Sequence, residues 1–182
     1  KDQFYLLYTI SNALCRSGKF ADAEKYLFKL IDLSGRNINK EHSLFGHGIV
    51  TLSELYFITK RGNQAIQLLT KYMDHRYVSL DQRMFFNMNL AYGYFIQSNY
   101  HSCIQFLSKI YKNGASEIKN LGVETLLAIE LAECICHFHM KNYDYVESRI
   151  ISILKRNKNA FKNEKFQRQQ QFLLLLRKLN ND

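Results

Sequence analysis

Apolar side chains return three and four positions apart along almost the whole chain. That is the rhythm of one face of an α-helix, not the alternation of a strand. The rhythm is itself repeated. Ser11 and Ala23, Ser53 and Ala65, Ala91 and Cys103, and Cys134 and Val146 are pairs of smaller residues, each separated by twelve positions. From one second-helix small residue to the next the interval is 42, then 38, then 43 positions. A constant internal spacing with elastic connections is what helix–turn–helix units joined by variable loops produce. A large or aromatic residue precedes the turn at Leu14, Tyr56 and Tyr94, with His137 in the fourth unit. After the turn come Phe20, Tyr100 and Tyr143, with Gly62 as the exception. Each second helix then carries a bulky apolar pair: Leu27 and Leu30, Leu69 and Tyr72, Leu107 and Ile110, Ile150 and Ile153.

The small residues have a steric reason. Where two antiparallel helices cross, a side chain larger than about Ala or Ser holds the axes apart and opens a gap. Gly18, in the stretch "SGKFADAEKYLFKL", supplies a left-handed cap between the first two helices. Ser79 with Gln82 reads as a capping box ahead of the third unit. The pattern predicts one all-α domain of four hairpins, over about residues 2–35, 43–75, 81–113 and 121–156. A final helix over about 160–179 is expected to cover the last hairpin through Phe166, Phe172, Leu173, Leu176 and Leu179.

This pattern resembles the tetratricopeptide repeat (TPR). The family's order of small residue, aromatic, Gly-x-aromatic, then Ala and a bulky apolar residue is matched by Ser11, Leu14, Gly18, Phe20, Ala23 and Leu27. The third unit matches through Ala91, Tyr94, Tyr100, Cys103 and Leu107. The second and fourth depart from it, with Gly62 in place of the aromatic and Glu133 in place of an apolar residue. The units are longer than the usual ~34 residues, with the excess assigned to "SGRNINKEHS" and "KNGASEIKNLG" or to longer helices. The tail "NYDYVESRIISILKRNK" with the basic helix after it looks like the end of an uncharacterised family of bacterial TPR proteins. The resemblance implies a right-handed α-α superhelix and a non-enzymatic scaffold that binds a protein or peptide partner.

In TPR arrays the first helix of each hairpin lines the concave face, where peptides bind. Carried over by position, the lining is Tyr5, Tyr8, Asn12 and Arg16 in the first unit, then His47, Val50, Glu54 and Ile58 in the second. The third contributes Phe85, Met88, Tyr92 and Phe95, and the fourth Ala128, Leu131, Ile135 and Phe138. TPR domains that grip a terminal carboxylate place a Lys where this chain has Tyr8, and Phe85 and Met88 stand where later basic residues would help. The aromatic and Met-rich third unit fits an apolar segment or amphipathic helix better.

Composition narrows the alternatives. There is no Pro, only 8 Gly and 47% hydrophobic residues, as an ordered helical protein requires. No apolar run approaches the roughly 20 residues of a membrane-spanning helix. The chain opens at Lys1 without a Met, as a piece of a longer sequence would. Cys15, Cys103, Cys134 and Cys136 show neither disulfide nor zinc spacing. They read as buried free thiols in a reducing compartment, with the cytoplasm as the default.

Glu130, Glu133 and His137 fall near one helical face and could hold a metal, but no matching Glu-x-x-His lies elsewhere. They read instead as a partly buried polar group. Cys134 with His137 lacks the donors a nucleophile needs. No catalytic, cofactor or metal site is expected. The net charge of +9 concentrates near the end, where Lys155, Arg156, Lys158, Lys162, Lys165, Arg168, Arg177 and Lys178 face only Glu164 along the chain. That run opens a rival reading as a nucleic-acid-linked regulator, although no set of base-reading residues recurs once per repeat. A second rival is a structural or self-associating segment of a longer array.

Overall fold

The periodic segments are helices throughout. A computed structural model describes residues 2–36, 42–113 and 121–181, and among these it has nine α-helices and no strand. They are α1 (Asp2–Arg16), α2 (Phe20–Arg36), α3 (His42–Ile58), α4 (Gly62–Tyr72), α5 (Leu80–Ile96), α6 (Tyr100–Asn113), α7 (Val123–His139), α8 (Tyr143–Arg156) and α9 (Gln167–Asn181). Most of the two predicted connections, over 37–41 and 114–120, lies outside the described residues.

All eight residues of the twelve-position pairs are exposed by 2% or less. The two serines hide their hydroxyls as well: Ser11 Oγ donates to the Leu7 carbonyl at 2.7 Å and Ser53 Oγ to that of Val50 at 2.7 Å. Each buried hydroxyl is thereby satisfied within its own helix, so the crossing is not burdened by an unpaired polar atom.

The elbows are built alike in all four hairpins. Gly18, Lys60, Ser98 and Lys141 each stand two positions before the second helix and have φ of 73°, 60°, 57° and 61°. At each, the left-handed residue donates back three positions and the next residue donates back five. In the first elbow these are Gly18 to Cys15 at 3.1 Å and Lys19 to Leu14 at 2.9 Å; in the third, Ser98 to Phe95 and Asn99 to Tyr94, both 2.9 Å. This is the Schellman pattern, which satisfies the last carbonyls of the first helix. Only the first elbow uses Gly, so the other three carry the left-handed conformation against the Cβ penalty.

The chain divides into two compact units, Lys1–Gly93 and Tyr94–Asp182. In the first, α1 packs on α2, α2 on α3, α3 on α4, and α1 also meets α3. Its core is formed by Leu27, Leu30, Ile49, Leu52, Leu55, Leu69, Phe86 and Leu90. Each such side chain withdrawn from water contributes roughly 1.5–3 kcal/mol before entropy is counted. The expected capping box is present: Gln82 N donates to Ser79 Oγ at 3.3 Å, and Ser79 N to Gln82 Oε1 at 3.0 Å. The buried Gln82 side chain also roofs Gly46 of α3, where an added Cβ would collide with the Gln82 carboxamide. Arg61, just before α4, forks onto Glu24 at 3.0 and 2.8 Å and lies over the Tyr56 ring at 4.3 Å. Arg61 thus flanks the elbow next to the position where Gly62 replaces the aromatic of the other hairpins.

In the second unit, α7 packs on α6 and α8, and α9 lies on α7 and α8. Leu127, Cys134, Val146, Ile150, Ile153, Phe161, Leu173 and Leu176 form the core. Where one helix is expected over 160–179, the chain first makes two 3-10 turns, Ala160–Lys162 and Glu164–Phe166, separated by an extended Asn163. Asn163 Oδ1 accepts from Lys165 N at 2.9 Å, which starts the second turn. The shift in register buries Phe161, Leu173 and Leu176, with Phe166 half-buried, and leaves Phe172 and Leu179 exposed.

Candidate functional site

First helices line up side by side in the N-terminal unit. Tyr8 of α1 meets His47 of α3 with ring centres 6.2 Å apart, and the rings of Phe57 of α3 and Tyr92 of α5 pack near-perpendicular with centres 5.2 Å apart. Asn89 Nδ2 of α5 donates to Ser53 Oγ of α3 at 3.2 Å. The residues expected to line a groove differ in exposure along these helices. Tyr5, Tyr8, Asn12 and Arg16 share one side of α1 and line an open depression of about 610 Å³ together with Thr9, Ala13 and Ser17. Tyr5 is 68% and Tyr92 52% exposed, Phe85 is exposed, and Met88 and His47 are half-buried. The neighbouring Phe86, Met84 and Leu90 are in the core, so α5 turns one aromatic inward and its neighbour outward.

Glu54 is exposed at the surface of α3. The helices around it still withdraw enough solvent to raise its carboxyl above the ordinary range, an effect that a hydrogen bond from Asn89 partly offsets. On α1, burial and then the Glu54 charge push the Cys15 thiol up. Phe95 belongs to the C-terminal unit, where it is half-buried with its ring 6.2 Å from Tyr100. Leu131, Ile135 and Phe138 are also half-buried there, packed against that unit's core, while Ala128 is exposed.

A second constellation joins residues that are far apart in the sequence. Glu133 accepts from Tyr145 Oη at 2.6 Å and from Arg149 at 3.0 Å (Nε) and 2.8 Å (Nη2). Arg149 also reaches Tyr111 Oη at 3.3 Å and Glu130 Oε1 at 3.4 Å, and Arg156 pairs with that same Glu130 oxygen. These groups line a cavity of about 510 Å³. Burial opposes the Arg149 charge, but the Glu133 charge and hydrogen bonds outweigh it and hold the guanidinium above its ordinary range. Burial, then the Glu133 hydrogen bond, pushes the Tyr145 phenol up; burial and the Glu133 charge do the same to Tyr111.

The His137 ring lies 4.0 Å from that of Tyr145, and its Nδ1 3.0 Å from Asn142 Nδ2. Among the described residues no group of three His, Cys, Asp or Glu is arranged to hold a metal ion. Cys103, Cys134 and Cys136 are buried free thiols, and Cys15 is half-buried. Cys103 and Cys136 lie within hydrogen-bond reach of one another, and burial raises the Cys134 thiol to about 12.

The role of Arg149 was missed in the sequence. A signal existed: in the repeat register Glu133 aligns with Ile10, Leu52 and Leu90, and Arg149 with Tyr26, Leu68 and Phe106. A cation and an anion displacing apolar residues in one unit are candidates for a mutual pair. The basic tail is likewise partly neutralised from outside its own stretch, by Lys165 with Glu124 at 2.5 Å and Arg177 with Glu147 at 2.7 Å.

No helix among the described residues is long and apolar enough to cross a membrane. No protein-family model matches the sequence, and no curated protein does. Solved structures do match. One is the crystal structure of a variant from Podosopora anserina described as "putative kinesin light chain nearly identical TPR-like repeats", with a TM-score of 0.71 and 13% identity over 100% of this chain and 95% of that one. A second structure of the same description, without the variant's substitution, gives 0.67 and 12% over 97% and 94%. At such identities the likeness is one of fold, and the fold is that of a TPR-like repeat solenoid.

Proposed function

We propose that this chain is a non-enzymatic protein–protein interaction module that receives a peptide or amphipathic helix along the outer edges of α1, α3 and α5. The observation that carries this reading is the exposure of Tyr5 on α1 and of Phe85 and Tyr92 on α5, with Tyr8 half-buried, beside a core that already has its own aromatic in Phe86. Large apolar side chains left in water on α1 and α5 are costly unless something covers them. Rigid aromatic anchors with a Met among them are what such a cover uses. Asn12, Arg16, His47 and Glu54 supply polar and charged groups along the same faces. The TPR-like fold supports protein partners in general, and the compartment favoured by the free thiols is the cytoplasm.

The test is a double substitution, Phe85→Ala with Tyr92→Ala, in a chain whose partner has been captured and identified. Binding should weaken by at least about tenfold, as loss of a ~1.4 kcal/mol anchor implies. Unchanged affinity, with the fold intact by circular dichroism, sinks the groove.

Two rivals keep an observation each. Lys155, Lys158, Lys162 and Arg168 are exposed, which favours a nucleic-acid contact. That contact should show as retention on heparin that falls steeply with salt. Phe172, Leu175 and Leu179 are exposed on α9, which favours self-association or a longer array, to be read as a stable dimer in sedimentation.

A further inference from the structure

The cavity of the C-terminal unit has an unfinished acceptor. Glu130 is 4% exposed, and its Oε2 has no hydrogen-bond partner among the described residues. Its other oxygen, Oε1, meets Arg149 at 3.4 Å and also Arg156. The two arginines differ. Arg149 is committed to Glu133 through two N–H groups and is largely buried, whereas Arg156 is 52% exposed and reaches Glu130 from a single nitrogen.

Charge decides what the site would take. Without Arg156, Glu130 and Glu133 face one buried cation, Arg149, and the pocket is left with one net negative charge. A buried carboxylate with one oxygen unpartnered and the other shared between two arginines, one of them half in solvent, is matched by a planar fork of two N–H donors. Leu126, on the same wall, offers an apolar surface to a methylene stem.

We propose that this cavity is a binding site for an arginine side chain of a peptide partner, and that Arg156 is the chain's own stopper. The incoming guanidinium bridges both Glu130 oxygens, and Arg156 swings into solvent. The site uses α6, α7 and α8 of the C-terminal unit and does not depend on the aromatic edges described above.

The experiment titrates N-acetyl-arginine methylamide into the whole chain and follows the backbone amides of Leu126 and Tyr145 by NMR. Saturable shifts are expected. Arg156→Gln should tighten binding by about tenfold, the gain from removing a stopper in place roughly nine-tenths of the time. Adding Glu130→Gln to that variant should abolish the gain. Because Arg156→Gln is expected to bind better, the result does not rest on a loss that unfolding would mimic. No saturable shift in either wild type or Arg156→Gln overturns the proposal. So does a gain that survives Glu130→Gln.

Discussion

The first and fourth hairpins share an elbow and a crossing, yet they fill the space beside that crossing with opposite chemistry. In the first, Leu7 is buried at the position where the fourth has Glu130, and the second hairpin puts Ile49 there. Leu52 and Leu90 are core residues at the position of Glu133. The first two hairpins therefore fill the Glu130 position with apolar side chains, whereas the third, still in the N-terminal unit at that point, has a buried Asn87 there. The C-terminal unit holds α7 to α8 partly by two carboxylates clasping one arginine. The crossing sets the fold, and the adjoining positions are free to be apolar or ionic provided that every charge has its counter-charge.

The largest effect should come from breaking the ionic clasp. Arg149→Ala leaves two carboxylates between helices without their shared partner and should cost about 3–5 kcal/mol in chemical denaturation. Converting Glu130, Glu133 and Arg149 together to Leu makes the fourth hairpin resemble the first. It should restore most of that loss or exceed the original stability, because buried ion pairs are often matched by packed apolar groups. A triple variant no more stable than Arg149→Ala would show that the two solutions are not interchangeable.

Next in size is the crossing. Ala23→Leu should overpack it and cost ~1–3 kcal/mol, whereas Val146, its counterpart in the fourth hairpin, already fills more space. Val146→Ala should destabilise from the other direction, by opening a gap worth about 0.5–2 kcal/mol. Paired melts of the two variants check whether each crossing is fitted to its own side chain.

Smaller again is the ion pair on the N-terminal side. The Arg61 hydrogen bonds hold the Glu24 carboxyl below its ordinary range, against a lesser opposing effect of burial. A carboxylate with a depressed folded pKa adds stability that is fully present above its unfolded value of ~4.3 and is lost as pH falls through the folded one. Glu24→Gln should accordingly lower stability at neutral pH and flatten the acid side of a stability-versus-pH curve. An unchanged acid limb would count against the pair.

The smallest effect tests what the two units share. Ser98→Gly should stabilise by about 0.5–1 kcal/mol, since its left-handed conformation carries no Cβ penalty in Gly, and Gly18→Ala should cost a similar amount. Thermal melts of both variants, moving in opposite directions, would check the common elbow.

Much of the architecture could be read from the chain because the crossings need small residues at fixed intervals, and size is visible in a sequence. The capping box was visible for a related reason, since Ser79 and Gln82 are local partners. The elbows at Lys60, Ser98 and Lys141 were not visible, because the left-handed residue there is enforced by the hydrogen bonds around it and no glycine marks it. Phe161 escaped because helical periodicity cannot foresee the extended Asn163 that resets the register. The clasp escaped because Glu133 and Arg149 are 16 residues apart on different helices, and only the repeat alignment shows that each displaces an apolar residue. The aromatics of α5 were ambiguous between core and surface on spacing alone, since Phe85 and Phe86 are adjacent and a helix can turn either one inward.

Gln82 has a consequence beyond its own helix. One amide both begins α5 and lies against the bare backbone of α3, so the start of the third hairpin is gauged against the second. A methyl at Gly46 would have to evict that amide, and with it the bond that tells α5 where to begin. Register would then be lost between hairpins while each hairpin stayed whole.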